Sequence, residues 1–258
     1  MLTTLLDGQV MAEKHGSGHP RVIALHGWAR TRHDWAPVLR DHDALALDLP
    51  GFGATAPPPD GWSTEQYADQ LLPLLDPAAP VVLMGHSFGG RVAVHAARLR
   101  PEGVAGLVLT GVPLLRAQLA PAGAKPARGP LDLRVAKALH KRGIVPGSVV
   151  DRYRKKYGSA DYNAAQGVLR TVLVKAVNED YTRELEAVRA AGIPTEMVWG
   201  AGDTAAPVAM ARAAAELVGP TAQLDVVEGS AHLLDDALVA HLRSALDRVL
   251  ASPKESRP

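Results

Sequence analysis

The sequence predicts an α/β fold with a mostly parallel central sheet, helices on both sides and an inserted helical lid. Short apolar runs alternate with helix-like stretches along most of the 258 residues, which is typical of strand–helix–strand units with right-handed crossovers. Most apolar runs do not alternate strictly with polar residues, as expected of strands buried on both faces. The alternation stops between residues 114 and 185, where only helical patterns follow one another.

The predicted strands begin with a hairpin, because Leu2–Leu6 and Val10–Glu13 flank the turn pair Asp7-Gly8. Six later apolar runs predict buried strands: Val22–Leu25, Ala44–Leu47, Val81–Met84, Leu107–Leu109, Glu196–Trp199 and Leu224–Val227. Ligands of an open α/β sheet bind at the carboxyl ends of its parallel strands. The residues that directly follow these runs are therefore the first candidates for a functional site.

Helices are predicted between the strands, with Ser63 as an N-cap of the second. They cover His33–Arg40, Thr64–Leu75, Phe88–Leu99, Val208–Leu217 and Asp235–Leu250. The lid is expected to hold helices near Leu131–Arg142, Ser148–Tyr157 and Ala160–Val177. We therefore divide the chain into a first part of the core (1–113), a helical lid insertion (114–185) and a second part of the core (186–258).

Composition and charge exclude several classes of function. The chain has no cysteine, which removes disulfides, thiolate catalysis and cysteine metal sites. Its net charge of +1 gives the whole molecule no electrostatic affinity for nucleic acid. We find no signal-peptide pattern and no run that approaches about 18 apolar residues. A cytoplasmic protein without a stable membrane anchor is the expectation.

A candidate nucleophile follows the run Val81–Met84. Residues 85–89 read GHSFG and match the pattern G-x-S-x-G, in which a serine is presented at a sharp strand-to-helix turn. The turn needs small neighbours, and the N–H groups of the helix that follows face the reaction centre. We predict Ser87 as the nucleophile; an incidental serine in a structural turn is the alternative.

A serine nucleophile requires a histidine base and a carboxylate that orients the histidine. Of the ten histidines, only His232 lies between the last predicted strand and the last helix. Asp203 follows an apolar run in the glycine-containing segment WGAGD, although an aspartate that merely forms a turn is the alternative. The other position for an acid, after Leu107–Leu109, holds Thr110 and Gly111, which cannot serve.

Acyl transfer also needs N–H donors for the negative oxygen that develops in the transition state. The amide of Phe88, directly after the nucleophile, is the first candidate. The second is the amide of Trp28 in the segment HGW, where Gly27 lets the backbone turn inward. The Trp28 ring is a candidate pocket wall, with ordinary core packing as the alternative.

Five segments together resemble the α/β-hydrolase superfamily: LHGW (25–28), DLPGFG (48–53), GHSFGGR (85–91), WGAGD (199–203) and SAH (230–232). The resemblance implies the α/β-hydrolase fold and a reaction without a cofactor or metal. It implies the same site that the residues predict, with Ser87 as nucleophile, His232 as base and Asp203 as acid. The amides of Trp28 and Phe88 would form the oxyanion hole, and Asp48 would belong to a structural turn.

Two groups within the superfamily are similar to different parts of the chain. HGW and DLPGFG with a basic helical lid are similar to the pimeloyl-carrier-protein methyl ester esterases, whose lid arginines engage an acidic carrier. GHSFGGR, with Arg91 after the glycines, is similar to the MenH-type synthases, which eliminate pyruvate with the same triad. A serine at position 87 departs from the dehalogenases and epoxide hydrolases that use an aspartate nucleophile.

The predicted lid is basic, with 14 Lys+Arg against 6 Asp+Glu in residues 114–185 and a net charge of +8. We expect it to face an anionic substrate or an acidic carrier protein; a solvated surface is the alternative. Its candidate surface consists of Arg134, Lys137, Lys141, Arg142, Arg152, Arg154, Lys155 and Lys156. Candidate substrate-binding residues are Arg30, Arg32, Arg91, Tyr153 and Tyr157. A structural role is the alternative for Arg91, and packing of the lid is the alternative for the two tyrosines.

These observations predict a serine hydrolase that cleaves a carboxylic ester or thioester through an acyl-enzyme. A lyase or C–C bond hydrolase with the same triad is the alternative among enzymes. A small-molecule receptor remains the alternative outside enzymes, because one fold can host unrelated functions.

Overall fold

The computed structural model describes residues 1–116, 131–150, 152 and 160–252. Its central feature is an eight-stranded sheet with the order β1-β2-β4-β3-β5-β6-β7-β8. The β1–β2 and β2–β4 pairs are antiparallel and the others are parallel. The strands are β1 Leu2–Leu5, β2 Val10–His15, β3 Val22–Leu25, β4 Ala44–Asp48, β5 Val81–His86, β6 Val104–Thr110, β7 Thr195–Gly200 and β8 Ala222–Val227. The predicted hairpin and all six later strands are confirmed. Five of these strands are buried, whereas β8 lies at the edge of the sheet and is only partly buried.

Helices cover both faces of this sheet. They are α1 Ala36–Leu39, α2 Thr64–Leu71, α3 Phe88–Leu99, α4 Leu131–Lys141, α5 Ala160–Ala164, α6 Gly167–Ala176, α7 Thr182–Ala190, α8 Val208–Val218 and α9 Asp236–Ala251. Alternate strand residues face opposite sides. Leu83 belongs to the apolar cluster that includes residues of α2, α3, α7 and α8, whereas Val82 and Met84 belong to the cluster that includes residues of α1 and α9. Both faces are apolar for this reason, which explains the missing polar alternation.

Two predicted helices begin or end differently because of proline. The helix predicted over His33–Arg40 starts as a 3₁₀ turn at Arg32–Trp35 and becomes α-helical only in α1, which contains Pro37. The helix predicted to reach Leu75 leaves the α conformation after Leu71, because Pro73 has no N–H and cannot continue it. The predicted N-cap is confirmed: Ser63 accepts from the Gln66 amide, and Gln66 accepts from the Ser63 amide in return.

The segment predicted as the lid contains helices where it is described, with two corrections. The single helix predicted over Ala160–Val177 is divided into α5 and α6, because Gln166 has extended backbone angles. The boundary predicted at residue 185 falls inside α7, which contacts α3 and α8 of the core. Residues 147–150 are helical, and Arg152 is the only other residue of the predicted Ser148–Tyr157 helix that the structure describes.

Helix α6 lies against a loop of the core. A Cβ atom on Gly51 would come within 2.5 Å of Leu169, and one on Gly61 within 2.3 Å of Thr171. The DLPGFG turn is therefore the surface on which this part of the predicted lid rests. No helix in the described part of the chain is long and apolar enough to cross a membrane.

Candidate active site

Ser87 lies between the end of β5 and the start of α3, in a backbone conformation that non-glycine residues rarely adopt. Its φ is 49° and its ψ is −110°. Such strain costs on the order of 1–3 kcal/mol and persists only where the surroundings enforce it. The side chain is half-buried, so its hydroxyl is raised above the strand ends, as in a nucleophile elbow.

The glycines around Ser87 allow this turn through close backbone contacts. A Cβ atom on Gly85 would lie 2.4 Å from the Cα of Gly90, and one on Gly89 would lie 2.2 Å from the carbonyl oxygen of Leu25. No side chain fits in either place. The first turn of α3 can therefore lie directly against the ends of β5 and β3.

The structure brings Ser87, His232 and Asp203 into one hydrogen-bonded chain. The Nε2 atom of His232 is 3.1 Å from the Oγ of Ser87, and its Nδ1 atom is 2.8 Å from the Oδ2 of Asp203. A carboxylate can only accept, so Nδ1 carries the proton and Nε2 accepts from the serine hydroxyl. The imidazole is thus oriented as a base toward Ser87.

Asp203 is buried, and its second oxygen is also occupied. Oδ1 accepts from the amides of Ala205 and Ala206 at 2.9 and 2.8 Å. Together with the imidazole, these amides offset the cost of burying the carboxylate. The loop after β7 therefore holds Asp203 in one position, whereas the loop after β8 carries His232.

Gly111, after β6, lies directly beside the bond between Asp203 and His232. A Cβ atom on this residue would be 3.1 Å from both the Oδ2 of Asp203 and the Nδ1 of His232, and its φ is +57°. The sequence excluded this position as a source of the acid. The structure shows that the absence of a side chain there leaves room for the acid from β7.

The segments with the predicted oxyanion donors meet beside the nucleophile. A Cβ atom on Gly27 would be 3.4 Å from the Cβ of Ser87, and the Gly89 amide donates to the carbonyl of His26 at 3.0 Å. Trp28 follows in a turn closed by a hydrogen bond from the Arg30 amide to the carbonyl of Gly27 at 3.2 Å. Phe88 begins α3, where the first amides have no partner within the helix.

Comparison with known proteins decides the family. Residues 22–249 match the alpha/beta hydrolase family. The chain belongs to this family. It is 38% identical over 110 residues to an esterase of Mycobacterium tuberculosis, an alignment that covers 41% of this chain and 37% of the esterase. It is 35% identical over 107 residues to the 2-succinyl-6-hydroxy-2,4-cyclohexadiene-1-carboxylate synthase of Yersinia pseudotuberculosis, with 38% of each chain covered.

The matched regions span less than half of the length of these two relatives. A solved structure, that of a thermophilic esterase from Thermogutta terrifontis, aligns over 96% of this chain and 97% of its own. The TM-score is 0.63 and the sequence identity is 23%. The predicted α/β-hydrolase fold is confirmed.

The three arginines predicted to bind substrate in this α/β-hydrolase family member are bound to protein groups. Arg30 makes two hydrogen bonds of 2.7 Å with Asp34. Arg32 forms an ion pair with the buried carboxylate of Asp48, which ties the loop after Trp28 to the end of β4. Substrate binding by Arg30 and Arg32 stays a prediction. Tyr153 and Tyr157 lie outside the described residues.

Arg91 is buried and holds two backbone carbonyls. Its Nη1 donates to Ala176 at 2.7 Å and its Nε donates to Pro113 at 3.2 Å, while its guanidinium lies 5.8 Å from the ring centre of Tyr181. Burial lowers the pKa of Arg91. These contacts make Arg91 a link between α3 and the end of α6, which favours its structural alternative, and substrate binding by Arg91 stays a prediction.

Aromatic rings form a connected wall beside the nucleophile. The Trp28 ring packs edge-on against Phe52 and Phe88, with centroid distances of 5.0 and 5.4 Å, and Tyr67 packs against Phe88 at 5.1 Å. These are the only two phenylalanines of the chain, and both are buried, whereas Trp28 is half-buried. The Trp28 ring therefore packs on the core and also keeps a partly exposed face. Core packing and a pocket wall are compatible roles for this ring.

Two buried histidines lie beside the hydrogen-bonded residues Ser87, His232 and Asp203 without being part of that arrangement. His26 donates from Nδ1 to the carbonyl of Gly27 at 2.7 Å and accepts from the Leu49 amide at Nε2 at 3.0 Å. His86 contacts the carbonyl of His232 at 2.9 Å. Burial lowers the pKa of both, that of His86 to about 4. The position of His86 in the sequence does not indicate which residue its ring faces.

Within the described part of the chain, no three histidine or acidic side chains are arranged to hold a metal ion. The prediction that the reaction needs no cofactor stays a prediction.

Proposed function

We propose that the protein is a serine hydrolase that cleaves a carboxylic ester or thioester through an acyl-enzyme. The observation that carries the proposal is the hydrogen-bonded chain from Ser87 through His232 to Asp203, formed at a strained turn before a helix. A serine hydroxyl is a weak nucleophile until a base of this kind accepts its proton.

In the proposed first step, Oγ of Ser87 attacks the acyl carbon while Nε2 of His232 takes the hydroxyl proton. Asp203 keeps the imidazole in the required tautomer and stabilises the imidazolium that forms. The amides of Trp28 and Phe88 donate to the oxyanion, an interaction typically worth a few kcal/mol. The intermediate then breaks the bond to the leaving alcohol or thiol, which receives the proton from His232.

In the proposed second step, water replaces the leaving group. His232 removes a proton from the water as the oxygen attacks the acyl carbon bound to Ser87. Collapse of this second intermediate breaks the bond to Oγ, which takes back a proton from His232. The acid leaves and the enzyme returns to its starting state, so that the sum of both steps is hydrolysis of the acyl bond.

The similarity to an esterase of Mycobacterium tuberculosis supports an ester as substrate. The basic charge of residues 114–185 supports an anionic acyl compound, or an acyl group linked to an acidic carrier protein. Among the candidate cations, Lys141, Arg142 and Arg152 are exposed in the described residues. Arg154, Lys155 and Lys156 lie outside these residues.

A lyase that uses His232 as a base is the second candidate, favoured by the similarity to the synthase of Yersinia pseudotuberculosis. In this chain, however, Arg91 holds two carbonyls of the protein. Because an anionic substrate is proposed for the hydrolase as well, this contact does not separate the two candidates. An acyl-enzyme on Ser87, which is expected only of the hydrolase, would separate them.

The deciding experiment is turnover of 4-nitrophenyl esters of graded acyl length by the wild type, Ser87→Ala and Ser244→Ala. Ser244 is exposed on α9 and bonds to its own helix, so its variant controls for the loss of a hydroxyl. We expect Ser87→Ala to lose at least about 1,000-fold in kcat. The wild type should gain the mass of one acyl group on Ser87 when stopped early. Activity of Ser87→Ala near that of the control would refute the proposal.

A further inference from the structure

His86 is the last residue of β5 and directly precedes Ser87. Its ring is buried, and its Nε2 atom lies 2.9 Å from the carbonyl oxygen of His232. A carbonyl oxygen only accepts hydrogen bonds, so Nε2 carries the ring proton and donates a hydrogen bond to this oxygen. The Nδ1 atom has no hydrogen-bond partner among the described residues. It faces Gly27, where a Cβ atom would lie 2.6 Å away.

The segment that carries His232 has little regular structure of its own. It connects β8 to α9, and both neighbours of His232, Ala231 and Leu233, are exposed. Before His232, the carbonyl of Ser230 accepts from the Gly202 amide at 2.9 Å. At His232 itself, the backbone is held by the hydrogen bond from His86.

We propose that His86 is a positioning residue, which holds the backbone of His232 so that its Nε2 atom points at the hydroxyl of Ser87. This proposal rests on the proposed function. Asp203 fixes the rotation of the imidazole and His86 fixes the backbone from which it extends. The two contacts act on opposite ends of the same residue.

The hydrogen bond from His86 to the carbonyl of His232 links the base to the nucleophile, because His86 and Ser87 are consecutive residues. The nucleophile and the group that holds the base are consecutive residues of one strand end, whereas His232 comes from a loop 145 residues after Ser87. A small movement of β5 therefore shifts the nucleophile and the loop of the base together. A misplacement of reacting groups by about 1 Å can cost about 100-fold in rate, so the contact preserves the distance on which proton transfer depends.

The electrostatics of the pair favour a neutral histidine in this position. The two rings are 5.0 Å apart, and a positive charge on His86 would oppose the protonation of His232 during catalysis. Burial is the main cause that lowers the pKa of His86 to about 4, and the charge of the His232 ring acts in the same direction. The hydrogen bond to the His232 carbonyl, Asp34 and Asp203 act in the opposite direction. His86 therefore supplies an N–H donor without a charge at neutral pH.

The test compares His86→Gln with His86→Phe in the full chain, with 4-nitrophenyl butyrate as substrate. Glutamine can present an N–H near the position of Nε2, whereas phenylalanine fills the space without a donor. We expect His86→Phe to lower kcat by about 100-fold with KM changed by less than about 2-fold, because orientation and not binding is lost. His86→Gln should recover at least about 10-fold of this loss.

Labelling of Ser87 by a fluorophosphonate gives a second measure and should slow by the same factor in His86→Phe. Wild-type kcat in His86→Phe would overturn the proposal, as would equal losses in both variants with unchanged thermal midpoints. If His86→Phe does not fold, His86→Asn takes its place in the test. The asparagine amide is too short to reach the carbonyl of His232, so the kcat of His86→Asn should be lower than that of His86→Gln. Ser87→Ala separates the two proposals, because its activity would refute the hydrolase itself.

Discussion

Arg91 donates to the carbonyl oxygen of Ala176 over 2.7 Å and thereby ties the helix that starts at the nucleophile to the C-terminal end of α6. The carbonyls at a helix C-terminus carry partial negative charge, which a nearby cation stabilises. The second bond, to Pro113, joins the same side chain to the segment after β6. One buried side chain thus connects three parts of the chain.

Replacement of this side chain should destabilise the fold. We expect Arg91→Met to lower the free energy of unfolding by about 2–3 kcal/mol, because two carbonyls lose their donor. Urea denaturation measures the change, and Arg212→Met, at an exposed position on α8, should change it by less than about 0.5 kcal/mol. Unchanged stability with a raised KM for anionic esters would show instead that Arg91 binds substrate.

The buried ion pair of Arg32 and Asp48 predicts a second loss of stability. Asp48 also accepts from the amides of Arg32 and Ala54, at 2.8 and 2.9 Å. Asp48→Asn leaves the arginine charge without its partner, which we expect to cost about 3 kcal/mol. Asp41→Asn is the control, since Asp41 pairs with Arg243 on the surface and should leave the urea midpoint unchanged. Equal midpoints for both variants would contradict this account.

A methyl group at Gly111 should impair catalysis more than stability. Its Cβ would crowd the Asp203–His232 bond at 3.1 Å, and its φ of +57° adds strain. We expect Gly111→Ala to lower kcat at least about 10-fold. Gly192→Ala is a matched control, because Gly192 has a φ of +60° and no neighbour within 4 Å. It should lose about 1 kcal/mol of stability at full kcat; a similar loss of kcat in both variants would argue against crowding.

The buried His86 predicts that stability falls in mild acid. Its pKa is about 4 in the folded protein and 6.5 ordinarily, so between these values the unfolded chain binds a proton that the folded chain excludes. Stability is therefore complete above pH 6.5 and decreases toward pH 4, with a slope of about 1 kcal/mol per pH unit from this residue. The slope should be smaller in His86→Gln than in the wild type. Urea denaturation at about pH 5, 6 and 7 measures this slope. Identical slopes for the wild type and His86→Gln would contradict the prediction.

The basic charge of residues 114–185 predicts a salt effect for anionic substrates. Because exposed charges are screened by salt, kcat/KM for a carboxylate-bearing 4-nitrophenyl ester should fall several-fold between about 20 and 500 mM salt. The neutral butyrate ester should be unaffected. Arg142→Glu should weaken the effect more than Arg40→Glu, an exposed arginine of the core. Equal salt dependence of both esters would remove the anionic substrate from the proposal.

The sequence predicted the parts of the fold and site that depend on local patterns. Val22–Leu25 and Val81–Met84 were recognisable because parallel strands buried on both faces are apolar throughout. Ser87 was recognisable because its turn requires glycines within a few residues. His232 and Asp203 followed from their positions after strands, since strand ends meet at one edge of the sheet.

The roles of the arginines were not predictable in the same way. Arg91 and Arg32 are near the nucleophile and the Trp28 loop in sequence, which suggested substrate contacts. Their partners, Ala176 and Asp48, come from other segments, and a long side chain can reach in several directions. The role of His86 was not predictable for the same reason, because the carbonyl it contacts lies 146 residues away.

The bond from Arg91 to Ala176 also bears on how such a chain diversifies. Ser87, Asp203 and His232 all lie outside the segment between β6 and α7, whereas Gly111 and Pro113, which contact the site and Arg91, lie at its start. A change in the rest of this segment is expected to leave the fold intact only where a helix end still reaches the Arg91 guanidinium. The two carbonyl contacts of Arg91 are therefore the points at which substitutions in this segment should be least tolerated, and the exposed residues between them are free to vary.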